Sequence, residues 1–257
     1  MTSNEPAAID TGSVSDGGGG ADEPDAGIPA RSGDSYVTLD NGATMSAAFW
    51  PDSTGAGSCT REEVGGCTLS RCEGTPEDVP LPDAGSIAIA TADDEGLLQP
   101  DAEGRYPLVG REDAVSWTAG QQIHIDASGA AVPAFELALD GPGEIEEILA
   151  PLWGIGDFLV VSRAEPLQFE WTGPDEYVAA FVLCRPGNEV RLQVRCPFAD
   201  GSRSAAISSE ALSRLPAGCP EAFVALTAEN RHYLEAGDYL VKIAARGRLH
   251  GTQSVLE

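Results

Sequence analysis

The sequence predicts an all-β fold, two antiparallel β-sandwich domains with one short helix, preceded by a disordered N-terminal tether. Three observations carry this expectation. Apolar and polar residues alternate over short stretches, turn-forming residues break the pattern about every ten residues, and a single segment has the signals of a helix. The 257-residue chain is 42% apolar, above what a wholly disordered chain carries, and its length suits one or two globular domains. No apolar run approaches the roughly 20 residues that a membrane-spanning helix needs. With 41 acids against 15 bases, the net charge of −26 excludes nucleic acid and anionic membrane surfaces as partners.

Residues 1–33 form the tether. They are acidic and rich in glycine, including four in a row at 17–20, with neither the basic start nor the apolar core of a signal peptide. In composition this segment resembles the stretch that follows the acylated cysteine of bacterial lipoproteins. The resemblance implies an envelope protein on a stalk, with a lipid anchor upstream of this sequence. Charge then divides the rest of the chain. Residues 34–150 hold 22 acids and 4 bases and are expected to form an acidic sandwich; residues 151–257 hold 13 acids and 10 bases and are expected to form a second one.

Period-2 strands are expected at 36–39, 87–90, 123–126 and 135–139, separated by Asp, Asn, Gly and Pro turns. The segment 146–157 reads as a hinge between domains, with Leu152, Trp153 and Ile155 packing at the junction. The cleanest strand is 190–198. Val190, Leu192, Val194, Cys196 and Phe198 share a dry face, while Arg191, Gln193 and Arg195 share a face read as solvated, with anion binding or pairing to acidic neighbours as its alternative. It is expected to pair with 177–184 as a hairpin. A two-residue loop would put Phe181 on the Cys196 face and Cys184 on the other; a three-residue loop reverses that. Residues 208–215 read as a helix with Ser208 as N-cap, stopped by Pro216 and Gly218.

Six cysteines, Cys59, Cys67, Cys72, Cys184, Cys196 and Cys219, form no Cys-x-x-Cys pair. An even number in a Gly- and Pro-rich acidic chain points to disulfides and an extracytoplasmic location, whether periplasmic, outer-membrane-tethered or secreted. Their connectivity stays open among fifteen pairings.

In the second half, Leu167, Phe169 and Trp171 alternate along a strand, and Gly237, Asp238 and Tyr239 launch a late one. This pattern resembles the fibronectin type III and immunoglobulin-like sandwich superfamily over residues 160–246. The resemblance implies Trp171 as core anchor and Tyr239 as the corner tyrosine whose hydroxyl bonds back to the chain. The dry interior is then expected to hold Trp171, Phe181, Val194 and Tyr239.

No nucleophile elbow, phosphate loop or zincin motif occurs. His124 reads as a strand surface residue and His232 as a turn residue; with His250 they complete the histidines. Asp93 and Asp94 before Gly96, and Asp101 and Glu103 before Gly104, place oxygen donors on turns, the chemistry that Ca²⁺ takes. Glu144, Glu146 and Glu147 could supply a glycosidase pair. The reading that results is a non-catalytic exported envelope module, binding a protein or carbohydrate partner and carrying no cofactor. A hydrolase built on a carboxylate and His124 or His232 is one alternative. A calcium-dependent adhesion module using Asp93, Asp94, Asp101 and Glu103 is the other.

Overall fold

A computed structural model describes residues 35–49, 59–73, 81–152, 158–174, 177–187 and 190–257; the tether at 1–33 lies outside them, as do Trp153 and Ile155. The first strands are β1 (Ser35–Asp40), β2 (Thr44–Ala48), β3 (Cys59–Val64), β4 (Cys67–Glu73), β5 (Ile87–Ala90), β6 (Glu95–Leu98), β7 (Gln122–Ala127), β8 (Phe135–Asp140) and β9 (Glu147–Ala150). There follow β10 (Leu159–Val161), β11 (Leu167–Thr172), β12 (Val178–Gly187), β13 (Val190–Phe198), β14 (Ser204–Ile207), the helix α1 (Ser209–Ser213), β15 (Glu221–Ala236), β16 (Tyr239–Arg246) and β17 (His250–Leu256). All the strands expected from alternation are present. The helix begins where Ser208 Oγ accepts from the Ala211 amide at 3.2 Å.

The fold is all-β, with two sandwiches that share one large sheet. That sheet runs β2-β1-β16-β15-β12-β13-β4-β3, with β17 on β15 and β10 on β17. Two of its pairings, β1 with β16 and β10 with β17, are parallel, so the sheet is mixed where an antiparallel one was expected. One end is covered by the four-stranded sheet β6-β5-β7-β8 and the other by β14-β11-β9. The first core packs Val37, Leu39 and Met45 with Ile87, Ile89, Ile123 and Ile125. Within it the Tyr106 hydroxyl accepts from the Ala84 amide at 2.9 Å and donates to the Gly85 carbonyl at 2.7 Å. The second core packs Trp171, stacked on Phe198 with ring centroids 5.8 Å apart, with Val182, Val194, Ile207 and Leu212.

Each core takes strands from both sides of residue 150. Val241, Ile243 and Ala245 complete the first, and Val64 and Cys67 complete the second. The expected hinge is a strand at Glu147–Ala150 paired to β11, and Leu152 stands 85% exposed instead of packing at a junction.

The element that joins the cores is β15, 16 residues long. Its first part pairs with β12 and β17, its second with β16. The Glu229 amide donates to the Tyr177 carbonyl on one edge, and the Ala228 carbonyl accepts from the Gly247 amide on the other. β16 and β17 thus follow each other along a single edge of β15, interrupted at Gly247. A side chain there would press its Cβ to 2.6 Å from the Gly143 carbonyl, so glycine is required by close approach.

Disulfides lock the second core. Cys67 of β4 bonds Cys196 of β13, and Cys184 at the end of β12 bonds Cys219 ahead of β15. Cys72 is also disulfide-bonded, and the β3–β4 register sets Cys59 opposite it. The hairpin settles the parity left open by the sequence. A register shift between Cys184 and Gly187 places Cys184 opposite Leu192 and Ala180 opposite Cys196, so both cysteines point into the core. Phe181, opposite Arg195, points the other way and leaves the second core.

Candidate functional site

Alternation along β15 builds a polar cluster on the face of the large sheet turned away from the two cores. Ala222, Val224 and Leu226 enter the second core, and Leu234 and Ala236 pack on the first. Thr227, Glu229, Arg231 and Tyr233 therefore share the face directed away from both. On neighbouring strands that face carries Phe181 of β12, Arg195 of β13, Lys242 and Arg246 of β16, and Tyr36 and Asp40 of β1, as the registers place them.

Glu229 is the centre and is 1% exposed. Its Oε2 accepts from Arg195 Nη2 at 2.8 Å; its Oε1 accepts from Arg231 Nη2 at 3.1 Å and Nε at 3.2 Å. Arg246 Nε stands 3.9 Å from the same Oε1, and Arg246 Nη1 is 3.8 Å from Asp40 Oδ1. Aromatic groups line the guanidiniums. Arg195 lies over the rings of Tyr177 and Phe181 at 5.5 and 5.7 Å, and Arg246 lies 5.5 Å over Phe181. Arg195 Nη2 also donates to the Tyr177 hydroxyl at 2.9 Å, and Arg231 Nη1 to the Tyr233 hydroxyl at 3.2 Å.

The electrostatics follow from this packing. Burial alone would raise the Glu229 carboxyl, but Arg195, Arg231 and Arg246 outweigh it and hold the group well below the usual carboxylate range. Lys242, opposite Tyr233, moves the other way. Burial first, then the charges of Arg231 and Arg246, bring its ammonium down to about 7, against an opposing pull from Glu229. Four cations (Arg195, Arg231, Arg246, Lys242) gather around Glu229 and Asp40, with Glu235 exposed further along the same face of β15, in a chain whose net charge is −26. Arg195 Nε and Arg246 Nε are buried and have no hydrogen-bond acceptor.

This arrangement corrects the solvated reading of the Arg191/Arg195 face. Arg191 is exposed, whereas Arg195 is 9% exposed and ion-paired. Alternation announced a second face but not that its long side chains bury Glu229 and Arg195 among themselves. The signal that would have found it is the run of Thr227, Glu229, Arg231 and Tyr233 at every second position, beside the chain's one lysine, Lys242.

The other candidates fall elsewhere. Asp94 Oδ2 accepts from the Ser116 amide and hydroxyl at 2.9 and 2.8 Å, which lowers its pKa, and Asp93 Oδ2 accepts from Gln121. Asp101 Oδ1 accepts from the Glu103 and Arg105 amides. Those turns hold their own backbone, and among the described residues no three His, Cys, Asp or Glu side chains gather as a metal ligand set. His124 is exposed on β7, and His232 lies within β15, where a turn was expected. Glu144, Glu146 and Glu147 are exposed. Trp171 is 1% exposed in the second core, but Tyr239 is half-buried against the first, so the two do not share an interior. The tyrosine whose hydroxyl binds backbone in the manner expected of Tyr239 is Tyr106.

No protein-family model matches the chain, and comparison with curated proteins gives no match. The function has to be read from the cluster's own chemistry and from the scaffold that carries it.

Proposed function

We propose that this chain is a non-catalytic binding or structural module of the cell envelope, exported and presented on its N-terminal tether. The observation that supports this best is the pair of disulfides, Cys67–Cys196 and Cys184–Cys219, which tie β4, β12, β13 and the entry to β15 around the second core. Such bonds persist in oxidising compartments and are rare where glutathione keeps thiols reduced. Among the described residues no helix is long and apolar enough to cross a membrane; the upstream lipid anchor is proposed from the tether's composition alone. The second core is read as fibronectin- or immunoglobulin-like on the strength of buried Trp171 and its two facing layers. Tyr239 lends that reading nothing. A fold of this type supports many functions, so the binding role is assigned to the surface and to a protein or carbohydrate partner.

Proteolytic peptides of the protein, taken unreduced from its native source and analysed by mass spectrometry, test the compartment. Linked peptides containing Cys67 with Cys196 and Cys184 with Cys219 are expected. Alkylation of all four thiols without prior reduction would overturn the proposal.

A further inference from the structure

We infer that the open edge of β10 is a docking site for an extended segment of a partner protein, apolar at alternate positions and flanked by basic residues, which adds to the large sheet as a further strand. The inference rests on the binding-module reading and deepens it by naming what the module holds and how. Among the described residues β10 pairs with β17 alone. The Val161 carbonyl accepts from the Glu257 amide, and the Arg163 amide donates to the Glu257 carbonyl. Odd-numbered residues of β10 thus turn their main chain towards β17, and the N–H and C=O of Val160 point to the open side, as does the main chain of Ser162 just past the strand. The side chains at this edge are apolar and in solvent. Phe158 is 61% exposed, Val160 58%, and Val255, opposite Val160 on β17, 38%.

An unpaired strand edge is a template for another chain, and folded proteins guard such edges with charge, proline or a cover. The other two edges of the large sheet are guarded, β3 by Arg61, Glu62 and Glu63, and β2 by the bridge from Met45 to Val109. β10 and β17 contain no Asp, Glu, Lys, Arg or Pro. What such an edge matches is an extended main chain, with alternate side chains setting the fit. Charge selects the kind of strand. Glu165 is exposed just past β10 and Glu257 just past β17. Arg163 is turned to the Ser213 carbonyl at 2.8 Å, and Glu221, on the outer face at the start of β15, is matched by Arg185 at 3.8 Å. A chain of net charge −26 attracts a basic partner and repels a second copy of itself.

The probe is a synthetic peptide of alternating Val and Thr between paired lysines, added to the full chain. Amide hydrogen exchange read by NMR should show Val160 and Ser162 slowed several-fold and saturably, with the amides of β3 unchanged. The same peptide flanked by glutamates should bind several-fold more weakly at low salt, and a version N-methylated at every amide should not bind. V160P removes an N–H that bonds nothing among the described residues and spares the ladder to β17, so it should keep the wild-type Tm and lose the peptide. The inference is overturned if the lysine-flanked peptide leaves Val160 and Ser162 unprotected, or if the N-methylated peptide or a folded V160P binds as well as the originals. It is also overturned if those amides become protected as the concentration of the chain alone rises, which would give the edge to a second copy. In each case linked peptides containing Cys67 with Cys196 and Cys184 with Cys219 would leave the envelope-module reading standing.

Discussion

Arg195 Nη2 lies 2.8 Å from Glu229 Oε2 although their strands are separated by β12. The guanidinium crosses the intervening strand over the ring of Phe181, which replaces water along its path. A phenylalanine that alternation could have assigned to the core instead forms the floor of an ion pair. The same ring carries Arg246 from β16, so Phe181 links the outer face of one sandwich to that of the other.

Removing the central carboxylate should therefore be severe. E229Q removes the carboxylate that pairs with both Arg195 and Arg231, and loss of one member of such a cluster costs about 3–5 kcal/mol. Urea unfolding at neutral pH measures it. The wild type carries a further signature. Its folded Glu229 is more acidic than the unfolded one, so the stabilisation is complete above the ordinary carboxylate range and is lost as pH falls below it. E229Q should show a flatter acid limb; equal limbs in the two proteins would sink the assignment.

Replacing Cys184 and Cys219 together by alanine opens a bond that spans 35 residues. Loop-closure entropy puts the loss at roughly 4 kcal/mol. Thermal unfolding should show a matching fall in Tm, and reductant should lower the wild-type Tm but add little to the double variant's loss from this bond.

Strand β13 shows what the sequence made legible and where legibility ended. Val190 to Phe198 alternate so cleanly that the strand bounds, the dry face and the inward direction of Cys196 all follow from side-chain period alone. The same period says only that Arg195 is on the opposite face. What Arg195 meets there depends on Glu229, 34 positions away in the chain, and no local pattern encodes it. The fate of Cys184 turned on one residue of register, because the irregularity before Gly187 exchanges the two faces. Tyr239 failed for a related reason. A Gly-Asp turn marks the start of a strand but not the core that the strand joins, and β16 joins the one built largely from the first half. Trp171 succeeded because a large apolar side chain alternating with Glu170 has one place to go.

Tyr106 should behave as a buried structural phenol. Y106F removes a hydroxyl that serves both the Ala84 amide and the Gly85 carbonyl, and leaving those groups unpaired costs about 1–3 kcal/mol. Burial also pushes its pKa up to about 12. The neutral form is favoured in the folded state, so this contribution is full below the ordinary phenol value of 10.0 and is lost as pH rises through about 12. Ultraviolet titration of the folded proteins should give the same tyrosinate absorbance in wild type and Y106F through the ordinary phenol range, because Tyr106 adds nothing there.

Lys242 should be a residue that the fold would be more stable without at neutral pH. Its ammonium titrates near 7 when folded and near 10.5 when unfolded. Below 7 the charge is present in both states and the folded protein bears the cost of burying it. Between those values the unfolded chain binds the extra proton, so stability rises with pH by at most about 1.4 kcal/mol per unit. K242M keeps the aliphatic stem and removes the charge. It should be more stable than wild type at and below pH 7, by on the order of 1 kcal/mol, because Lys242 keeps partial contact with solvent. The difference should shrink as pH rises towards 10. Arg195, Arg231, Arg246, Glu229, Asp40, Glu235, Tyr36, Tyr177 and Tyr233 are common to both proteins, so subtracting one urea-unfolding series from the other isolates the lysine. A constant difference across that window would show that the ammonium is no more costly folded than unfolded.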